Sequence, residues 1–543
     1  MTTPFAVVPP TATAIHITKA LRLASSHSLV AACSLVGLGL ALYIFVKIIY
    51  SIYFHPLSKH PGPFLARFTD LYAGYHAWKG DIHIDMWRCH QKYGDFVRYA
   101  PNRLNVNTAT GIKDIYSQNK NFLKSKNYSA MVHQALNTLT VREKKDHGRR
   151  RRVISQGLSD AVIRNFEPAM LEIINRFCDR MLQTVEEEAE NSSVEKAWNP
   201  TRNMSEWCNY LAFDIMTSLI FQGKYNMLER PTYRYVVKVI ETSNIRVSSI
   251  LQAPILKMFR LDKVLFPQAI AARNAFIGFV GKLLRDTKRN DRTARKDLFQ
   301  ILSDAKDPET GLGFNNTEII AESTTLVVAG ADTVATAMTS VFFYLSRNSD
   351  SYARAAAEIR STFDSKDDIK GGAKLSSCRY LRACIDEAMR MSPSVGLALS
   401  REVPAGGAVV NGEFIPGGCE VGVPIYSIHH KEDYFADPFK YNPDRWLVEK
   451  EASTQQAIDQ TSAFVPFSTG PRGCIGKGVA LVEMMLTMAV VLYRLDFSTA
   501  AGDKSGGSVG AEYGRHRLDE FQLRDHITMS KDGPLLQFRS ASS

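Results

Sequence analysis

Apolar positions fall into three patterns along the chain. From Leu29 to Val46, LVAACSLVGLGLALYIFV, eighteen residues pass without a charge, and after Lys47 the apolar character resumes through IIYSIYF. That length crosses a bilayer. A cleaved signal peptide is the alternative, but its apolar core is shorter, and Tyr50, Tyr53 and Phe54 follow as an interfacial belt would. The expectation is an uncleaved anchor over residues 29–54. A second apolar stretch, Leu326–Leu345, reads LVVAGADTVATAMTSVFFYL, with Asp332 its only charge. As a second span it would place a charge at bilayer depth, which is costly. A helix apolar all round reads instead as a buried one, about 30 residues and roughly 45 Å long, with Thr317 as the expected cap.

The third pattern is amphipathic. Residues 169–190 and 379–391 repeat their apolar positions at helical period, the second stopped by Pro393. Strand signals are fewer. In 407–421 an Asn-Gly pair lies between short apolar runs, which predicts a hairpin. Residues 521–538 predict another strand pair. The fold class is mainly α with small β-sheets.

Composition adds segmentation. Residues 1–28 are a Thr-, Ala- and Pro-rich tail, 29–54 the anchor, and 55–64 a stiff neck containing HPLSKHPGP. Residues 65–543 carry no further linker of that kind and no repeat, so they read as one large domain. The chain has 543 residues and a net charge of +11, which permits attraction to anionic membranes, nucleic acid or acidic partners without choosing among them. Lys47, Lys59 and Arg67 after the anchor slightly outnumber Lys19 and Arg22 before it, favouring a cytosolic body. None of the eight cysteines forms C-x-x-C, so neither a zinc ribbon nor a disulfide framework is expected. The sequons at Asn127, Asn191, Asn203 and Asn315 are expected to be unused in such a body.

Candidate chemistry concentrates in FVPFSTGPRGCIGKG, residues 464–478. Glycines 470, 473 and 476 around Cys474 permit positive φ and a close approach to a planar group. Backbone N–H groups after Cys474, and the helix expected to begin near residue 477, favour a thiolate. Arg472 can pair with an anionic group beside it. An inert buried cysteine leaves Arg472 and the glycines unexplained, whereas a thiolate facing iron accounts for them. In the long helix, Asp332 and Thr333 place a proton-handling carboxylate beside a hydroxyl, and Gly330 would admit a ligand to the backbone. Glu387 and Arg390, at i and i+3, read alone as a surface pair; Arg445 could make them a network.

Taken together, Phe467, Gly470, Arg472, Cys474 and Gly476, the run AGADT at 329–333, and Glu387, Arg390 and Arg445 resemble the cytochrome P-450 family, in the family's order, over roughly residues 55–540. The anchor and FHPLSKHPGPFLAR resemble microsomal, filamentous-fungal members of natural-product biosynthesis. The resemblance implies one cytochrome P-450-type domain behind the anchor. It implies haem b with Cys474 as axial ligand to iron, and Asp332 and Thr333 delivering protons during O2 activation. Arg472, Arg401 and Arg151 would meet the haem propionates. His147 stands where that pattern usually has Trp, and the run HGRRRR leaves open which of residues 149–152 is the third arginine. The implied reaction is monooxygenation of a hydrophobic small molecule, a polyketide, terpenoid or alkaloid intermediate. Electrons would come from NADPH through cytochrome P-450 reductase, with cytochrome b5 as a further donor and no nucleic-acid partner. The body would lie on the cytosolic face of the endoplasmic reticulum. The alternative is a haem-thiolate isomerase or dehydratase that uses no external O2; retention of Asp332 and Thr333 favours the monooxygenase.

Overall fold

The computed structural model describes residues 31, 33–118, 120–132, 135–183, 198–223, 225–289, 297–447 and 455–541. The expected tail 1–28, the end of the 169–190 pattern and Asn191 lie outside them. The chain forms two compact units, Met1–Lys59 and His60–Ser543. In the first, helix α1 (Cys33–Phe54) has a mean hydropathy of 2.1 and its apolar side chains stand exposed. Its 22 residues give a length of about 33 Å, enough for a hydrocarbon core of about 30 Å.

The second unit is mainly helical. Its principal helices for function are α2 (Leu71–Lys79), α3 (Lys144–Gly157), α4 (Asp160–Leu182), α5 (Met204–Phe221), α6 (Tyr235–Gln252), α7 (Asn316–Arg347), α8 (Arg379–Met391) and α9 (Lys477–Arg494). Helix α7 is the long central one. Its cap is Asn315 rather than the expected Thr317, because Asn315 Oδ1 accepts from Glu318 N at 2.9 Å and Glu318 Oε2 accepts from Asn315 N at 3.0 Å. This reciprocal box satisfies two otherwise orphaned donors. From Val334 to Leu345 α7 is buried on every face, so it is a core helix rather than a second span. Helix α8 ends two residues before Pro393, as the steric restriction before proline requires.

Twelve short strands form four sheets: β1 (Phe96–Ala100), β2 (Arg103–Val106), β3 (Leu123–Lys124), β4 (Arg202–Asn203), β5 (Arg401–Glu402), β6 (Ala408–Val410), β7 (Glu413–Ile415), β8 (Glu420–Gly422), β9 (Leu495–Thr499), β10 (Arg524–His526), β11 (Thr528–Ser530) and β12 (Leu535–Ser540), counted among the described residues. The largest has the order β1-β2-β8-β5-β3, parallel only between β2 and β8. The predicted Asn-Gly hairpin is β6–β7, with Asn411 and Gly412 both at positive φ. The expected pair in 521–538 is β10–β11, while β12 joins β9 and β4 instead. Part of the expected neck lies along β1: Arg98 N donates to Pro61 O at 2.8 Å, and a Cβ on Gly62 would fall 2.2 Å from Arg98 O.

Candidate active site

The Cys474 loop is closed by its own backbone. Cys474 N donates to Phe467 O at 2.8 Å and Gly473 N to Gly470 O at 2.9 Å. Only Gly470 of the three glycines has positive φ, at +70°; Gly473 and Gly476 lie at −61° and −85°. Of the three glycines that permit positive φ, Gly470 is the one that uses it. Gly470 is required twice over, since a Cβ there would sit 1.9 Å from Tyr116 O. Ser468, two residues earlier, also has positive φ, at +54°. Helix α9 starts at Lys477, as the pattern predicts. Burial pushes the Cys474 thiol up, while the N–H groups of Gly476 and Lys477 and the charges of Arg151 and Lys477 pull it down. The residue is nonetheless solvent-exposed: protein crowds it on most sides and one side is open. Phe467 packs at the core edge with Lys477 Nζ 5.8 Å from its ring.

Arg151, Arg401 and Arg472 line one cavity of about 660 Å³ together with His147, Tyr116 and Pro471. All three donate to carbonyls: Arg151 to Gly473 O at 2.7 Å, Arg401 to Leu399 O at 3.1 Å, Arg472 to Val141 O at 2.7 Å and Arg142 O at 2.8 Å. Helix α3 sorts the basic run by its 3.6-residue period. Arg149 and Arg150 both reach Asp146 and Glu318, and Arg152 reaches Asp307. Arg151 alone of the four donates to the cysteine loop. Burial, with the charges of Arg401 and Arg151, pushes Arg472 down to about 10. His147 is pushed down to about 3 by burial and then by Arg472, Lys124, Arg151 and Arg401.

Lys124 belongs to this cluster and was not signalled by the sequence, where it is a lone lysine in the two-residue strand β3. It is buried, donates to Leu139 O, and is held far below its ordinary pKa by burial and by the three arginines. The wall is thus several cations whose mutual repulsion calls for a bound anion. With a cysteine whose sulfur meets two N–H groups, this donor set fits a planar, dicarboxylate, iron-bearing group such as haem.

Asp332 and Thr333 are neighbours whose side chains part company. Thr528 donates to Asp332 Oδ2, and Lys531 Nζ lies 3.6 Å from Asp332 Oδ1. Thr333 Oγ1 donates back to Ala329 O at 2.7 Å, and Ser394 Oγ donates to Thr333 O at 2.7 Å. Ala329 is exposed although it lies mid-helix. At Gly330 a Cβ would come within 2.5 Å of Met216 Cε, so α5 approaches the α7 backbone closely there.

Glu387 and Arg390 are fully buried, not a surface pair. Arg390 grips both carboxylate oxygens at 2.9 Å, and Arg445 Nε, Asn442 N and Trp446 Nε1 each donate at 3.0 Å. Burial pushes the Glu387 carboxyl up, but Arg390 and Arg445 outweigh it and hold it below the usual range. His429, unsignalled by any motif, extends this network. Its Nδ1 lies 3.2 Å from Arg390 O, and Val465 N donates to its Nε2 at 3.0 Å, which fixes the tautomer with Nδ1 protonated. The Glu387 network is thereby tied to the irregular segment entering the Cys474 loop.

The sequence profile of the cytochrome P450 family matches residues 60–506. The cytochrome P450 monooxygenase poxM of Penicillium oxalicum is 47% identical over 500 residues, covering 92% of this chain and 93% of that protein. The monooxygenase AKT7 of Alternaria alternata is 44% identical, covering 94% and 98%, and atnE of Emericella nidulans 45%, covering 90% and 93%. Family profile, near-complete relatives and the Cys474 loop agree: this chain belongs to the cytochrome P450 family, as a monooxygenase.

Proposed function

We propose that the chain holds haem b through Cys474 and inserts one oxygen atom from O2 into a hydrophobic small molecule, an intermediate of secondary metabolism. The observation that carries the reading is the Cys474 loop beside a cavity walled by Arg151, Arg401 and Arg472. Haem-thiolate iron, when bound, supplies reductive activation of O2, favoured by electron density from the sulfur. The protein's part is positional and protic. The N–H groups of Gly476 and Lys477 steady the sulfur. The three arginines and His147 receive the carboxylates. Asp332 holds and releases protons, and Thr333 is the hydroxyl beside it on the open side of α7. Ser394 ties the apolar segment 392–400 to that same turn, so a hydrophobic substrate would sit against both.

Electrons would arrive from NADPH through cytochrome P450 reductase, with cytochrome b5 as a second donor, at the face marked by exposed Lys477. The proposed location is the endoplasmic reticulum membrane, single-pass, with residues 65–543 as the cytosolic haem-thiolate domain. Helix α1 supports this. So does a second apolar surface in the body: Leu71, Tyr75 and Trp78 on α2, and Met258, Phe259, Val264 and Leu265 nearby, are exposed. Gly74 brings α2 against Ala253, at the start of that second segment.

The test is the spectrum of the reduced, carbon-monoxide-bound protein. A red-shifted Soret band is expected, and Cys474→Ala should abolish it with the fold intact. Its absence from well-folded wild-type protein overturns the assignment. Metabolite comparison after deletion would then identify the substrate.

A further inference from the structure

Hairpin β10–β11 turns on a single residue. His526 faces Thr528, so Ile527 alone makes the corner, at φ +83°. A β-branched side chain is strained there. Asp525 props the corner, its Oδ1 accepting from Ile527 N at 3.1 Å. Asp525 is itself fully buried, and its Oδ2 completes no hydrogen bond. That oxygen lies against a second segment: a Cβ on Gly396 would fall 3.2 Å from it, 2.4 Å from Met529 Cε and 2.9 Å from His83 Cβ. Burial pushes the Asp525 carboxyl up, the N–H groups of Ile527, Gly396 and Leu397 pull it back, and it stands at about 7. The hairpin is fixed on its other side, where Asp525 N donates to Gly80 O at 2.9 Å. Segment 392–400 hangs between the hairpin and α7: Met529 N donates to Ser394 O at 3.0 Å, and Ser394 Oγ to Thr333 O at 2.7 Å.

Among the described residues, no charged or titratable group packed around Asp525 pairs with it. His76 and Lys79 of α2 turn to Asp81. His83, in the helix Ile82–Tyr93, is held neutral by burial. Arg515 donates to Gln522 and to Leu523 O, and Glu520 takes Tyr426 and Arg517. On β10, Arg524 is exposed and His526 Nδ1 lies 3.0 Å from Ala77 O. Just after β11, Lys531 faces Asn209 and Asp332. Residues 392–400 carry no titratable side chain.

We propose that Asp525 is a proton-operated clamp between hairpin β10–β11 and segment 394–397, closed when ionised and open when protonated, so that proton concentration sets the shape of the substrate wall. As a carboxylate oxygen, Oδ2 only accepts, and it draws in the N–H groups of Gly396 and Leu397. The proton goes to Oδ2, because Oδ1 is engaged by Ile527 N. The protonated oxygen then meets those two N–H groups donor against donor, and the segment stands off. The clamp is independent of the haem; its effect on substrate rests on the wall of residues 392–400 proposed above.

The test uses the full-length protein. Amide hydrogen exchange read by mass spectrometry, corrected for the chemical rate, comes first and needs neither haem nor turnover. Protection of 392–400 and 521–530 should rise severalfold together as pH passes from below to above about 7, while 379–391 stays level. D525N places an NH2 group at the Oδ2 position and mimics the protonated form, so it should hold both segments at their acid-side protection at every pH. D525S, which cannot titrate either, should do the same and serves if D525N misfolds. A flat wild-type profile, or a step that persists in either variant, overturns the clamp. The second arm is binding of phenylimidazole to the ferric holoprotein, read by its Soret shift. Affinity should climb severalfold over the same range in wild type relative to D525N or D525S. Equal pH dependence in wild type and variant overturns the effect on the substrate wall. A missing reduced carbon-monoxide band in wild type sinks the haem-thiolate reading while the exchange arm still decides the clamp.

Discussion

Replacing Glu387 with Gln tests the buried network with almost no change of shape. The carboxylate takes N–H donors from Arg390 twice, from Arg445, from Asn442 N and from Trp446. A glutamine keeps one acceptor oxygen. If that oxygen takes the Oε1 place, its NH2 group faces Arg390 Nε and Trp446 Nε1, donor against donor. Two guanidinium groups, one fully buried and the other nearly so, then lose the anion they share. Breaking a buried pair on one side costs about 3–5 kcal/mol, a large share of a typical total of about 5–15 kcal/mol. The exposed pair Arg354–Asp350, 3.5 Å apart with Asp350 82% exposed, is the control, and Asp350→Asn should cost under about 1 kcal/mol. Urea unfolding followed by circular dichroism reads both. Because His429 links Arg390 to Val465, Glu387→Gln should also reduce the fraction of protein showing the reduced carbon-monoxide band. A Glu387→Gln midpoint equivalent to within about 1 kcal/mol of wild type would refute the argument that buried charge pairing, rather than packing, holds this corner.

His429 is pushed down to about 3 by burial and by Arg390, against about 6.5 when unfolded. Its depressed folded value means that its contribution is whole above the unfolded pKa and is lost as pH falls from about 6.5 toward 3; His429→Gln should flatten the acid limb of stability against pH measured by urea titration. Gly470→Ala meets both positive φ and the Tyr116 carbonyl and should lose the carbon-monoxide band on expression. Gly330→Ala meets only the flexible Met216 side chain and should cost about 1–3 kcal/mol in thermal unfolding while keeping the band. Arg151→Ala should weaken haem retention, read as haem transfer to an apo-acceptor protein. Arg152→Ala, which breaks the Asp307 pair, should leave retention close to wild type.

The parts legible in the sequence were those with local signals. Residues 379–391 carried both an apolar stripe and a proline stop, and the helix ends there. The Asn-Gly turn placed β6–β7. The Cys474 loop was readable because its chemistry is contiguous. What stayed hidden is set by distance along the chain. Asn315 outcompeted Thr317 as cap because Glu318 lies three residues beyond it and can return the bond. Which arginine of 149–152 reaches the cysteine loop depended on where Asp146, Glu318 and Asp307 stand around α3. Lys124, His429 and Lys531 carry no motif. Each matters through a partner met only on folding, and Lys531 meets Asp332 across nearly two hundred positions.

These hidden residues change what the site means energetically. Lys124 and His147, in the same wall as Arg151, Arg401 and Arg472, are pushed down by burial and by those three arginines. A group bringing two carboxylates reverses that pressure, because each new negative charge favours the protonated lysine and imidazole again. On the proposed reading, cofactor binding at this wall is therefore linked to proton uptake there. Cys474 runs the other way, since a thiol pushed up by burial must release its proton to ligate a metal. The arginine wall and the cysteine loop thus balance each other, with protons taken up at the carboxylate end and lost at the sulfur, and Arg151, which donates to Gly473 O and lowers the Cys474 thiol, touches both ends.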